Sequence, residues 1–185
     1  MTRCDWCGND PLYIAYHDRE WGVPVTSADK LFEMLILEGM QAGLNWLTVL
    51  KKREAMREAF YSFSPERLAS ATDADLAVML ENPGIIRNRL KIRSVRTNAR
   101  TFLRLAEQEN IVDYFWQFTN GKTLQTNRQT LSEIPAVTKD SEKMAGQLKK
   151  DGFTFMGPTT CYAFMQAVGM VNDHVTSCFR WQQLT

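Results

Sequence analysis

Apolar positions along the chain recur at helical spacing, and turn residues fall where such stretches end rather than between alternating strands. Asp10-Pro11 sets a capping residue before a proline at the first helical position and predicts a short helix through His17. Thr26, with Asp29 three residues on, has the form of a capping box ahead of a helix over 30–42. Thr72 with Asp75 and Asn110 with Asp113 open two more helices by the same device, and Ser64-Pro65 opens another. Gly157-Pro158 precedes the apolar run 161–170, whose Ala, Met and Phe favour a buried helix over a strand. The stretch 120–139, rich in Thr, Gln and Asn, reads as an irregular connection. Strands are expected to be few or absent. With no internal repeat, low-complexity tract or long linker, the pattern predicts an all-α orthogonal bundle of short helices in a single domain over 1–185.

Composition fits this picture. At 185 residues, 44% hydrophobic and 23% charged, the chain can bury a core without disulfide staples. Four cysteines are few for a disulfide scaffold. The first ten residues lack the apolar core of a secretory signal, and no apolar run is long enough to span a bilayer, so a cytoplasmic protein with no membrane partner is expected.

The net charge of +1 gives no sign of a nucleic-acid partner until it is divided along the chain. From Ile85 to Arg104 lie seven of the 22 basic residues (Arg87, Arg89, Lys91, Arg93, Arg96, Arg100 and Arg104) and no acidic one, leaving 15 basic against 21 acidic elsewhere. Arg89, Arg93, Arg96, Arg100 and Arg104 fall three or four apart and form one helical stripe, while Ile92, Val95, Ala99, Phe102 and Leu103 face another way. The turn at Asn82-Pro83-Gly84 is expected to start this helix, and N–H groups at its N-terminus would suit a phosphate. A solvated face paired with acids elsewhere is the rival reading, weakened by the absence of acids inside the run.

The chain has only two histidines. His174 and Cys178, four apart, would share a helix face, and Cys4 and His17 lie near the other end of the chain. Together they make a Cys2His2 set with no open position, which would be structural rather than catalytic. Cys4 and Cys7 form a C-x2-C knuckle, so Cys4, Cys7, His174 and Cys178 are an equally legal set, and buried thiols beside two ordinary histidines are a third possibility. Spacing does not choose among these.

Trp6, Tyr13, Tyr16, Trp21 and Trp46 all fall within the first 46 residues, with Glu38 among them. Glu38 shares a helix face with Leu31, Leu35 and Ala42 on a helix apolar on most sides. A carboxylate there must find donors, such as Tyr16 or an indole N–H, or shift its pKa. Aromatic walls with one anionic end suit a flat cationic ring such as a cationic purine base; core filling is the competing account.

These residues carry a resemblance. Cys4-Asp5-Trp6, the run from Asp10-Pro11-Leu12-Tyr13 through Tyr16-His17-Asp18 to Glu20-Trp21-Gly22-Val23-Pro24, and Leu37-Glu38-Gly39 resemble the DNA-3-methyladenine glycosylase I family. So do Gln41-Ala42-Gly43-Leu44-Asn45-Trp46, Gly84-Ile85-Ile86-Arg87, Phe164-Met165-Gln166-Ala167 and Val171-Asn172-Asp173-His174-Val175, and the similarity runs from end to end. The resemblance implies a helix-hairpin-helix enzyme of base-excision repair, with the hairpin near 72–104, that releases 3-methyladenine from alkylated double-stranded DNA. It implies one structural zinc ion on Cys4, His17, His174 and Cys178, which favours that set over the one containing Cys7. It implies Glu38 as the catalytic or recognition carboxylate in a base pocket of Trp6, Tyr13, Tyr16, Trp21 and Trp46. It also implies contact of Gly43 and Leu44 with the gap left in the duplex, and the basic run with its turn makes Gly84, Arg87, Arg89 and Arg93 the expected contacts to the phosphates. A monomer without lyase activity is expected, since no lysine stands at a matching position to form a Schiff base. Family members often have Ser where this chain has Ala163, so a changed affinity or selectivity is expected. Two other classes fit parts of the pattern: a zinc-stapled DNA-binding module that would not need Glu38, and a zinc hydrolase, which the fourth ligand argues against.

Overall fold

A computed structural model describes residues 1–184. The described chain is mostly helical: α1 (Pro11–Arg19), α2 (Ala28–Gln41), α3 (Trp46–Ala59), α4 (Pro65–Ser70), α5 (Asp73–Glu81), α6 (Arg89–Ala106), α7 (Ile111–Trp116), α8 (Lys139–Asp151), α9 (Pro158–Ala167) and α10 (Phe179–Gln183). Two strands of two residues, β1 (Leu124–Gln125) and β2 (Val171–Asn172), pair in parallel with Leu124 opposite Val171. No described helix is long and apolar enough to cross a membrane.

The helix starts follow from local capping chemistry. Asp10 accepts from the N–H of Leu12, Ser64 from that of Arg67, and Thr72 and Asp75 close a reciprocal box. Asn110 accepts from Val112 and Asp113 without an answering bond from the Asp113 side chain. The start of α2 differs from the expectation. Ser27, not Thr26, is the cap, accepting from Lys30 N–H at 3.4 Å. Asp29 then stands at the second helical position, one residue short of where a reciprocal carboxylate can reach back. Helix α8 was not anticipated from the pattern. It opens on a box between Thr138 and Ser141 and buries Ser141, Met144, Ala145 and Leu148, one face set against α9.

Helix α2 lies at the centre. Every residue from Leu31 to Met40 is buried, and α3, α6, α7 and α9 pack around it. The apolar run after Gly157-Pro158 is helical only to Ala167, because the chain must then cross the backbone at Val23 and Pro24. Val25 N–H bonds Val168 O at 3.0 Å, and a Cβ on Gly169, whose φ is +76°, would lie 2.4 Å from the Val23 carbonyl carbon. The two ends of the chain also meet, since Phe179 N–H bonds Thr2 O at 3.0 Å. The stretch 120–139 is irregular as expected, apart from β1 and a 3₁₀ turn at Leu131–Glu133.

Candidate functional site

A cavity of about 330 Å³ opens where four helices and two loops converge. The turn Asp5–Cys7 supplies Trp6, α1 supplies Tyr13 and Tyr16, and Trp21 follows α1. Glu38 and Gln41 come from α2, Trp46 is the first residue of α3, and Ala163 and Gln166 come from α9. Leu131 and Ile134 of the irregular segment complete the wall. The aromatic rings brace one another: Trp6 lies 4.9 Å from Trp21 and 5.0 Å from Tyr13, and Tyr16 lies 5.4 Å from Trp46, between centroids. All six pocket residues anticipated from the sequence are therefore gathered around one space.

Glu38 is 3% exposed, and its carboxyl receives no hydrogen bond from any described residue. Neither Tyr16 nor an indole reaches it. Burial alone pushes its pKa up to about 8, because nothing compensates the loss of hydration of the charged form. The hydroxyl of Tyr16 is held well above the usual phenol range by burial and then by Glu38, so it stays a donor. The indole N–H groups of Trp6 and Trp46 are buried without partners as well. Each such group costs about 1–3 kcal/mol, so three in one cavity are a built-in strain that a ligand with matching polar atoms would relieve.

Behind this cavity Cys4, His17, His174 and Cys178 converge, with their ligand atoms all within 4.8 Å of one another and all four residues buried. Cys178 Sγ lies 3.5 Å from His17 Nε2 and 3.5 Å from His174 Nδ1, and Cys4 Sγ lies 3.6 Å from His174 Nδ1. The far nitrogens are spoken for. His17 Nδ1–H donates to Asp18 at 2.8 Å, itself gripped by Arg3, and His174 Nε2–H donates to Trp21 O at 3.0 Å. Those bonds turn the lone pair of each ring toward the sulfurs, the usual outer support of a metal site. Hydrogen bonding from Cys4, joined by the two imidazoles, holds the Cys178 thiol well below its usual range and raises Cys4 correspondingly. Cys7 lies outside the group, its thiol bonded to Cys4 O. The four spacing-derived ligands are thus brought together, but not by a helix: Cys178 caps α10, and His174 reaches it through a turn closed by Cys178 N–H on Val175 O. The cluster also braces the cavity, since the ring of Trp6 lies 5.3 Å from His17 and that of Trp21 lies 4.6 Å from His174.

The basic run divides in a way its periodicity does not reveal. Helix α6 begins at Arg89, five residues after Gly84, and not at the turn itself. Asn88 takes the N–H groups of Leu90 and Lys91, and Asn82 takes that of Gly84, so these amides are not free for an anion. A Cβ at Gly84 would fit tightly, 3.0 Å from the Ala55 Cβ and from Asn82 Oδ1; Lys52 clamps the turn through the carbonyls of Pro83 and Gly84. Arg96 binds Asp73 and Ala71 O, Arg100 binds Ala69 O, and Arg104 binds Asp151 O. Lys91 is buried, its ammonium on Met40 O at 2.8 Å and Ala42 O at 2.6 Å. It closes the C-terminus of α2, satisfying carbonyls that the helix leaves open. Arg87, Arg89 and Arg93 are exposed and have no partner among the described residues. The Gly43-Leu44 tip between α2 and α3 presents Leu44 at 42% exposure beside that Lys91 clamp.

Sequence reasoning did not single out Gln41, Leu131, Ile134 or Gln166 as cavity residues. Leu131 and Ile134 carry a faint signal as apolar residues in a polar stretch; for Gln41 and Gln166 there is none beyond helical phase. Comparison with known proteins matches this architecture throughout. The sequence profile of methyladenine glycosylase covers residues 6–181. DNA-3-methyladenine glycosylase 1 of Escherichia coli K12 is 51% identical over 179 residues, 96% of each chain. A crystal structure of 3-methyladenine DNA glycosylase I superposes with a TM-score of 0.95 at 52% identity, over 96% of this chain and 98% of that one. The enzyme of that name from Staphylococcus aureus, solved to show its recognition of 3-methyladenine, gives a TM-score of 0.93 at 34% identity over 97% and 96%. With its aromatic cavity, its four-ligand cluster and these relatives over nearly its whole length, the chain belongs to the methyladenine glycosylase family.

Proposed function

We propose that this protein hydrolyses the bond between a 3-methyladenine base and its deoxyribose in alkylated double-stranded DNA, and releases the free base. The observation that carries this is Glu38, a buried carboxyl left without a donor among aromatic walls. Such a group lowers stability unless a cationic ligand restores what burial removed. A nucleotide extruded from the stack would bring its flat, positively charged base into this space, at a cost of a few kcal/mol that is least for a damaged base. Glu38 ionises as the cation enters and accepts from the donors on its edge, Tyr16 donates, and Trp46 with Trp6 and Tyr13 supplies faces for stacking. The positive charge already makes the base a good leaving group, so the site gains most by favouring the cation over neutral adenine. No lysine lines the cavity, and Lys91 is committed to carbonyls, which supports simple hydrolysis without a Schiff base.

The four-residue cluster fits one zinc ion. Zinc bonds of about 2.3 Å to sulfur and about 2.0 Å to nitrogen give tetrahedral edges of about 3.5 Å, close to the 3.5–3.6 Å sulfur–nitrogen distances here. Four protein ligands leave no open position, so the ion would tie the two ends of the chain together and hold Trp6 and Trp21 in place, with no part in bond breaking. The α5–α6 hairpin serves as the DNA grip of a helix-hairpin-helix enzyme through Arg87, Arg89 and Arg93, with Gly84 shaping the turn, while Leu44 on the Gly43 tip enters the gap left by the base. Ala163 leaves a methyl group on the cavity wall where a hydroxyl is common in the family.

The test is to incubate the protein with methylated duplex DNA and separate the released bases by chromatography. 3-Methyladenine should appear with the strands left uncut; no base above the uncatalysed background would refute the proposal.

A further inference from the structure

Building on that reading, we propose that Gln166 is a second acceptor for the extruded base, binding its exocyclic amine, and that buried Asp173 is the positioning residue that aims it. Gln166 lines the cavity from α9. Its backbone is pinned, the carbonyl accepting from Gly22 N–H at 3.0 Å and from Gly169 N–H at 3.3 Å. Its side-chain Nε2–H donates to Asp173 Oδ2 at 2.8 Å.

Asp173 is fully buried and surrounded by donors. Tyr162 donates to Oδ2 at 2.5 Å and Thr126 to Oδ1 at 2.8 Å, and Arg128 approaches to 3.9 Å. With Tyr162 and Thr126 already donating to this carboxyl, the amide of Gln166 is set with its nitrogen toward Asp173 and its oxygen away from it. That oxygen has no partner among the described residues. The cavity is thus lined by Glu38, whose Oε2 is a buried acceptor without a partner, and by Gln166, whose amide oxygen makes no hydrogen bond to a described residue. An exocyclic amine carries two hydrogens and can satisfy both. A base with a carbonyl oxygen at that position would meet two acceptors with a third, so the pair selects 3-methyladenine against 3-methylguanine.

The test uses the intact protein and two free bases, 3-methyladenine and 3-methylpurine, which lacks the amine, with binding followed by quenching of the cavity tryptophans. Gln166→Met keeps the length of the side chain and removes the amide acceptor. It should weaken 3-methyladenine about tenfold and leave 3-methylpurine unchanged. Gln166→Leu, measured in parallel, guards against a failure of one variant to fold. Asp173→Leu removes the carboxyl that takes the Gln166 N–H, frees the Gln166 amide to turn over, and should give the same selective loss; damage to packing would weaken both bases equally. Equal loss for the two bases, or no change for either, would overturn the inference. If the wild-type protein releases no 3-methyladenine from methylated DNA, the functional reading itself fails; if it does and Gln166→Met binds both bases like wild type, only the role of Gln166 falls.

Discussion

Glu38 is held by the fold in a state that its own charge opposes. Its pKa is near 4.5 in an unfolded chain and about 8 in the folded protein. Between those values the folded state keeps a proton that the unfolded state has lost, so this residue makes stability fall as pH rises from 4.5 to 8. The penalty is roughly 3 kcal/mol at neutral pH. Glu38→Gln removes it, so melting curves across pH should show the variant unfolding on the order of 10 °C above wild type near pH 8, with the gap closing toward pH 4.5. A wild type equally stable relative to the variant at both ends of that range would show that the carboxyl is not desolvated. The grouping of Glu38 with five aromatics was legible in the sequence because those residue types crowd into the first 46 positions. That no donor would reach Glu38 was not legible, since the direction in which Tyr16 and the indoles point depends on how α1, α2 and α3 pack. Gln166 was invisible for a related reason: its meaning lies in Asp173, seven residues on and brought beside it only by the turn at Gly169.

Secondary-structure elements were readable where their cause is local. The caps at Asp10, Ser64, Thr72 and Asn110 lie within three residues of the groups they bond. Readings that required knowing what lies opposite went astray. The stripe on α6 has the right period, but Arg100 finds its acceptor 31 residues away and Arg104 finds its own 47 away. His174 and Cys178 meet without the helix that their spacing suggested. The division of α6 makes a sharp forecast for DNA binding. The salt dependence of duplex affinity should lose about two phosphate contacts' worth of slope in Arg89→Ala/Arg93→Ala, each contact being worth about 0.9 in the log–log plot. Arg100→Ala/Arg104→Ala should leave the slope unchanged, because those guanidinium groups are engaged within the protein. Equal effects from the two pairs would mean that the whole stripe meets DNA.

On the scale of the whole molecule, the near-neutral total conceals a charged hairpin whose free cations are only three, so attraction to DNA at a distance should be modest and the grip local. The cluster of Cys4, His17, His174 and Cys178 joins segments more than 150 residues apart and stands behind two cavity walls. Stripping metal with a chelator should therefore lower the melting temperature by on the order of 10 °C or more. Cys4→Ser should lose bound zinc, and Cys7→Ser should retain one equivalent by elemental analysis; the reverse would reinstate the knuckle. The central claim, that the unpaired carboxyl of Glu38 receives the cationic base, is tested most directly by single-turnover release of 3-methyladenine from methylated duplex with the enzyme below saturation, where the rate follows the free protein, comparing wild type with Glu38→Gln from pH about 6 to about 9. The wild-type rate should climb with loss of one proton near 8, and the Gln variant should be slower by roughly a hundredfold at the top of that climb, with the climb itself gone. A Gln variant that releases the base at the wild-type rate would contradict it.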